Sequence, residues 1–156
     1  EFEVIQALNR TATQYLVIGG YAILYYGHPN RLVDDLDIWV NNSKENTEKL
    51  IAVLQNLKAN CEGFFIERFV KQNLIKIDLR ASRYEVELFN MIKTAKGISF
   101  DEAYLRRNIT TQNGEKVGIV SIEDLLEIKR TAAKESEVRL HKELKDIGFL
   151  ESKSDA

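Results

Sequence analysis

Only one cysteine, Cys61, and one proline, Pro29, occur in these 156 residues. A lone cysteine excludes an intramolecular disulfide, so the fold has to rest on its apolar core, and the usage fits a reducing, cytoplasmic setting. Scarce proline, with no tract rich in Pro, Gly and Ser, argues against a linker and against a second domain. Long apolar runs are missing as well. The richest stretch, residues 15–26, is too short for a membrane span and contains Gly19 and Gly20. No signal-peptide pattern is visible. Nor is there an excess of positive charge: a formal net charge of −2 argues against a dedicated nucleic-acid module, though not against a transient RNA or DNA substrate.

What is present is ordinary for a water-facing globule, with 44% apolar and 29% charged residues. The length suits a single domain, residues 1–156, with a core large enough to need no staples. Apolar spacing predicts a helix over residues 1–10 from Phe2, Ile5 and Leu8, then a buried strand over 15–18. A short apolar helix over 21–26 is stopped by Gly27 and Pro29. Residues 36–40 read as the second strand, and Ser43 caps a helix to about residue 57 with Leu50, Val53, Leu54 and Leu57 inward. Two alternating runs, 74–79 and 84–89, predict a hairpin joined by residues 80–83.

Ser99 and Glu102 have capping-box spacing, so a helix starts there and runs through Arg106. Asn113-Gly114 marks a tight turn between strands near Ile109 and over 117–120. Ser121 caps a helix carrying Ile122, Leu125, Leu126 and Ile128, and Leu140, Leu144 and Ile147 are predicted to line a last one. Strands in the middle and helices at both ends, the C-terminal ones from about residue 121, give an α/β (α+β) class: a small mixed sheet flanked by helices.

The chemistry concentrates in residues 19–37. Asp35 and Asp37 enter a short apolar strand, DLDIWV, where propensity would otherwise disfavour aspartate. Alternation sends both to one face and Leu36 and Ile38 to the other. Two carboxylates so placed repel each other, and a divalent cation relieves them. Just upstream, Gly19-Gly20 sits where a strand turns into a helix, and a glycine corner lets backbone amides approach a phosphate. Metal plus phosphate cradle is the chemistry of nucleotide transfer. Arg31 is placed either to neutralise phosphate or to pair with Asp34.

The segment YLVIGGYAILYYGHPNRLVDDLDIWV resembles the signature of minimal nucleotidyltransferases of the DNA polymerase β superfamily, and in particular stand-alone bacterial proteins related to the AbiEii abortive-infection toxins. GISFDEAY, VSIEDLLEIK and KELKDIGFL follow that family's order downstream, so the likeness spans nearly the whole chain. The resemblance implies a polymerase β-like fold and transfer of a nucleoside monophosphate from an NTP to a hydroxyl, using Mg²⁺ or Mn²⁺. It implies a third acid on a neighbouring strand, for which Glu87 is favoured over Asp78 and Glu85. It also implies a nucleotide-contacting lysine at Lys129. Two departures stand out: Val33 replaces a common threonine, and Glu143 stands where aspartate is usual while Asp146 is retained.

The site set expected on these grounds is Asp35, Asp37 and Glu87 for metal and catalysis, with Gly19, Gly20, Arg31 and Lys129 for the nucleotide. The acceptor is left open among a tRNA, a protein and a small molecule, and the small size, which leaves little room for an acceptor domain, suggests a partner chain or a macromolecular acceptor. The competing reading is a catalytically silent binding module or toxin–antitoxin component that keeps the fold. A phosphatase with Asp-x-Asp would place its acids after the apolar strand, and here they precede it.

Overall fold

The computed structural model describes residues 2–59, 71, 74–77 and 85–156, with backbone alone at 74–77. In chain order the elements are α1 (Phe2–Arg10), β1 (Tyr15–Val17), α2 (Gly19–Tyr25), β2 (Asp35–Val40), α3 (Lys44–Asn56), β3 (Leu74–Ile77), β4 (Glu85–Phe89), α4 (Phe100–Arg106), β5 (Asn108–Gln112), β6 (Glu115–Ile119), α5 (Ile122–Glu135) and α6 (Leu140–Ser154). The strands form one mixed six-stranded sheet in the order β3-β4-β2-β1-β6-β5. β2 therefore lies between β4, to which it is parallel, and β1, to which it is antiparallel. The α+β architecture agrees with the sequence pattern.

Local chemistry explains where the elements begin. Ser43, Ser99 and Ser121 each accept a hydrogen bond from the amide three residues on, satisfying a helix-terminal donor. At Ser99 the box is complete, because the Glu102 carboxylate accepts from the Ser99 amide at 2.8 Å. Ser99→Ala is expected to lower stability by about 1 kcal/mol, read as a shift in the denaturant midpoint with unchanged slope. Asn113 and Gly114 both take positive φ, 50° and 82°, which is the backbone a two-residue hairpin turn requires.

The core forms where strand alternation predicts it. Leu36 and Ile38 of β2 and Val86 and Leu88 of β4 are buried together with Leu8, Leu16, Ile23, Leu50 and Leu125. Trp39 is buried as well, its ring edge-on to Phe100 at 5.4 Å. β3 and β4 pair antiparallel as expected, while the connecting residues 80–83, Asp78 and Cys61 lie outside the described residues.

The last helix differs from its expected facing. Leu140 and Leu144 are 39% and 54% exposed, whereas Glu143, Asp146, Ile147 and Leu150 are buried. The reason is electrostatic. Lys129 of α5 is buried opposite this helix, and its ammonium lies 3.0 Å from the carboxylates of both Glu143 and Asp146. Turning the leucines inward would leave a buried cation unpaired, and that costs more than two half-exposed leucines.

Candidate active site

The site grows out of strand register. β1 runs antiparallel to β2 with Val17 opposite Ile38, and the Ile18 amide donates to the Asp37 carbonyl at 3.0 Å. The next residue, Gly19, is thereby laid over the Asp37 side chain. Its φ is +62°, and a Cβ there would stand 1.8 Å from Asp37 Oδ2. No side chain fits, so glycine corner and acid form one unit. Gly20 faces Val33 instead: a Cβ on Gly20 would approach Val33 Cγ2 to 3.0 Å. Val33 thus packs against the corner where a threonine would have offered a hydroxyl.

The third acid comes from the other side of β2. The parallel register with β4 sets Asp37 beside Glu87 and Asp35 beside Glu85. Asp35, Asp37 and Glu87 each offer a carboxylate oxygen within 4.8 Å of the others. Among the described residues, no other three His, Cys, Asp or Glu side chains come so close. Glu87 is 9% exposed, while Glu85 is exposed and stays outside the group. Burial, and then the charges of Asp35 and Glu87, push the Asp37 carboxyl up to about 7; Lys129 pulls the other way. Three clustered carboxylates do not all stay ionised without a cation. A donor set of carboxylate oxygens alone is of the hard type that suits a divalent cation such as Mg²⁺ or Mn²⁺.

Around this trio lies a cleft of about 270 Å³, whose wall includes Gly19, Gly20, Arg31, Val33, Lys129, Arg139 and Lys142. The two expected nucleotide cations line it, but both are already engaged. Arg31 forks onto Asp146, Nε to Oδ1 at 3.0 Å and Nη2 to Oδ2 at 3.2 Å, and also donates to the Leu32 carbonyl. Asp34, its anticipated alternative partner, is exposed and takes no part. Lys129 is no solvated surface lysine: it is 7% exposed and held between Glu143 and Asp146. Arg31, Lys129, Glu143 and Asp146 make a buried network joining α5, α6 and the loop before β2.

Arg139 and Lys142 reach the same cleft with no ion pair among the described residues, and neither was singled out in the sequence. Lys142 had a visible signal, since it immediately precedes Glu143 in the late basic–acidic run. Arg139 had none, because its nearness to the trio depends on how α6 packs. His28 packs against Phe149 with the rings tilted and their centroids 4.7 Å apart, His141 is exposed, and neither histidine lines the cleft.

No protein-family model matches the sequence, and no curated protein is similar to it by sequence. Solved structures are similar in fold. The lincosamide antibiotic adenylyltransferase LnuA, bound to lincomycin, superposes with a TM-score of 0.62 at 16% identity, covering 97% of this chain and 94% of that one. ANT(2'')-Ia in complex with adenylyl-2''-tobramycin gives 0.62 at 14%, covering 96% and 84%. An antigenic nucleotidyltransferase-like protein from Paracoccidioides brasiliensis gives 0.59 at 19%, covering 94% and 71%. The sheet order, the flanking helices and these superpositions together give this chain the nucleotidyltransferase fold.

Proposed function

We propose that this protein transfers a nucleoside monophosphate from an NTP to a hydroxyl acceptor, releasing pyrophosphate. The observation that carries the reading is the trio of carboxylates set against a glycine corner that tolerates no side chain. The fold likeness supports it, since its neighbours include a lincosamide antibiotic adenylyltransferase and a protein in complex with adenylyl-2''-tobramycin. The likeness of residues 15–40 to the AbiEii-related proteins points the same way.

Asp35, Asp37 and Glu87 would hold Mg²⁺ or Mn²⁺. When bound, the metal would supply neutralising charge for the triphosphate and acidify an acceptor hydroxyl. Gly19 and Gly20 amides bind the outer phosphates. Arg139 and Lys142 are the cations free to meet them, while Arg31 and Lys129, neutralised by Glu143 and Asp146, shape the cleft wall and hold α6 in place. The acceptor oxygen bonds to the α-phosphorus as the bond to pyrophosphate breaks, and Glu87 stands beside Asp37 to receive the hydroxyl proton.

Two outcomes follow. Lys142→Ala is expected to raise the KM for NTP roughly tenfold with little change in kcat, because removing one phosphate-binding cation weakens ground-state and transition-state binding alike. The second concerns pH. Asp37 must lose its proton to bind metal, so metal affinity should rise about tenfold per unit below pH 7 and level off above it. Calorimetry in buffers of different ionisation enthalpy reads the released proton directly.

Calorimetry of each NTP with and without Mg²⁺, followed by transfer from α-labelled NTP into cell extract, tests the reading as a whole. Metal-dependent binding and a labelled product support it. Nucleotide binding indifferent to Mg²⁺, with no product, favours a silent scaffold, for which the apolar Val33 beside Gly20 is the observation in favour.

A further inference from the structure

We infer that the outer edge of β5 is a self-association surface, through which two copies of this chain join their sheets in an antiparallel pair centred on Thr110. β5 ends the sheet, and among the described residues it pairs with β6 alone. The tight turn at Asn113-Gly114 fixes which of its backbone groups are already used. A two-residue hairpin closes on a hydrogen-bonded pair, here Gln112 with Glu115, and such pairs then alternate along the ladder. Asn108, Thr110 and Gln112 therefore bond to β6. The amides and carbonyls of Ile109 and Thr111 point outward.

Sheet edges are normally blunted by charge, proline or a bulge. β5 reads NITTQ, without charge or proline, and its register against β6 runs unbroken from Asn108 to Gln112. The charges of the hairpin, Glu115 and Lys116, lie on the inner arm. Asn108, Ile109, Thr111 and Gln112 are all exposed, so no other described element covers the strand.

What selects a second copy over another extended segment is self-complementarity. With Thr110 on the two-fold axis, Ile109 of one copy stands opposite Thr111 of the other, and their outward groups exchange both hydrogen bonds. Thr110 meets its own copy in the close, non-hydrogen-bonded position, where paired threonines are favourable. Asn108 meets Gln112, amide against amide. Ile109 is 55% exposed and lies opposite Gly118 in its own hairpin, with no side chain across from it. The Thr111 methyl of the second copy supplies one. Within the paired strands no like charges meet. β1 and β6 separate β5 from β2, so both clefts stay open. A strand of 5 residues buries less than a permanent interface needs, which makes the pair weak and concentration-dependent.

Sedimentation of the whole chain from about 1 μM to 1 mM reads the association. The mass should double across that range. Thr110→Lys and Thr110→Glu each set like charges face to face at the axis and should weaken association roughly tenfold or more. An equimolar mixture of the two should restore it, since Lys then faces Glu. Thr111→Pro removes an outward amide and keeps the bonds to β6, and it should weaken association as well. Thermal melts at the dilute end, where the parent is monomeric, separate a lost contact from a lost fold. If a Thr110 variant melts below the parent, Thr111→Pro decides, and association unchanged in it overturns the proposal. A parent that stays monomeric throughout overturns it too, whether or not the edge takes up an extended segment of another protein. So does association indifferent to all three variants, or a Lys/Glu mixture as monomeric as its components, because each denies pairing centred on Thr110.

Discussion

Asp37→Asn is expected to reduce transfer by roughly three orders of magnitude or more, since it removes a central ligand of the metal site, and to leave the fold intact. The stability half of this result has a definite sign. Burial and its acidic neighbours hold the Asp37 carboxyl at about 7. A carboxyl raised in the folded state contributes stability that is fully present below its unfolded value near 3.8, and that contribution is lost as pH rises through 7. The metal-free parent should therefore lose stability between about pH 4 and 7, while Asp37→Asn should not. Above pH 7 without metal the variant should melt at or above the parent's temperature. Saturating Mg²⁺ should stabilise the parent and not the variant. Thermal melts at pH 5 and 8, with and without Mg²⁺, together with the transfer assay, check both halves. Undiminished transfer by an Asp35→Asn/Asp37→Asn protein would refute the assigned roles.

Gly19→Ala should be as damaging by a different route. Its Cβ would lie 1.8 Å from Asp37 Oδ2, and φ of +62° is strained for any residue but glycine. Either the corner moves away from β2 or the Asp37 carboxylate rotates out of the trio. We expect loss of measurable metal-dependent NTP binding by calorimetry and a destabilisation of about 2 kcal/mol, from the strain at positive φ and the displaced contact. The analogous change at Gly27, whose φ is +90° but whose Cβ would meet nothing within 4 Å, carries the strain without the clash. Nucleotide binding retained by Gly27→Ala and lost by Gly19→Ala would separate the two causes. Retention by both would detach the glycine corner from the site.

Much of this was legible in the sequence because it is local. The serine caps act within three residues, and the Asn113-Gly114 turn needs only the backbone dihedrals of its own two residues. Asp35 and Asp37 share a face because strand side chains repeat every two residues. Other features depended on contacts distant in sequence. Glu85 and Glu87 share a face of β4, so alternation alone could not choose between them; the register against β2 sets Glu87 beside Asp37. The last helix misled because Leu140, Leu144 and Ile147 have sound helical spacing, yet a buried lysine on another helix draws Glu143 and Asp146 inward. Arg31 found its carboxylate 115 residues away, beyond any local pattern.

By itself, then, the chain's order of residues determined a glycine corner, a pair of acids on one face and a mixed sheet between helices, since short-range periodicity and turn chemistry suffice for each. The folded molecule set the favoured Glu87, and not Glu85, beside Asp37, and it alone decided which cations are left without an ion pair at the cleft among the described residues. Those outcomes depend on strand register and on the pairing of buried charges, both of which are set by whole elements packing together and by no single segment.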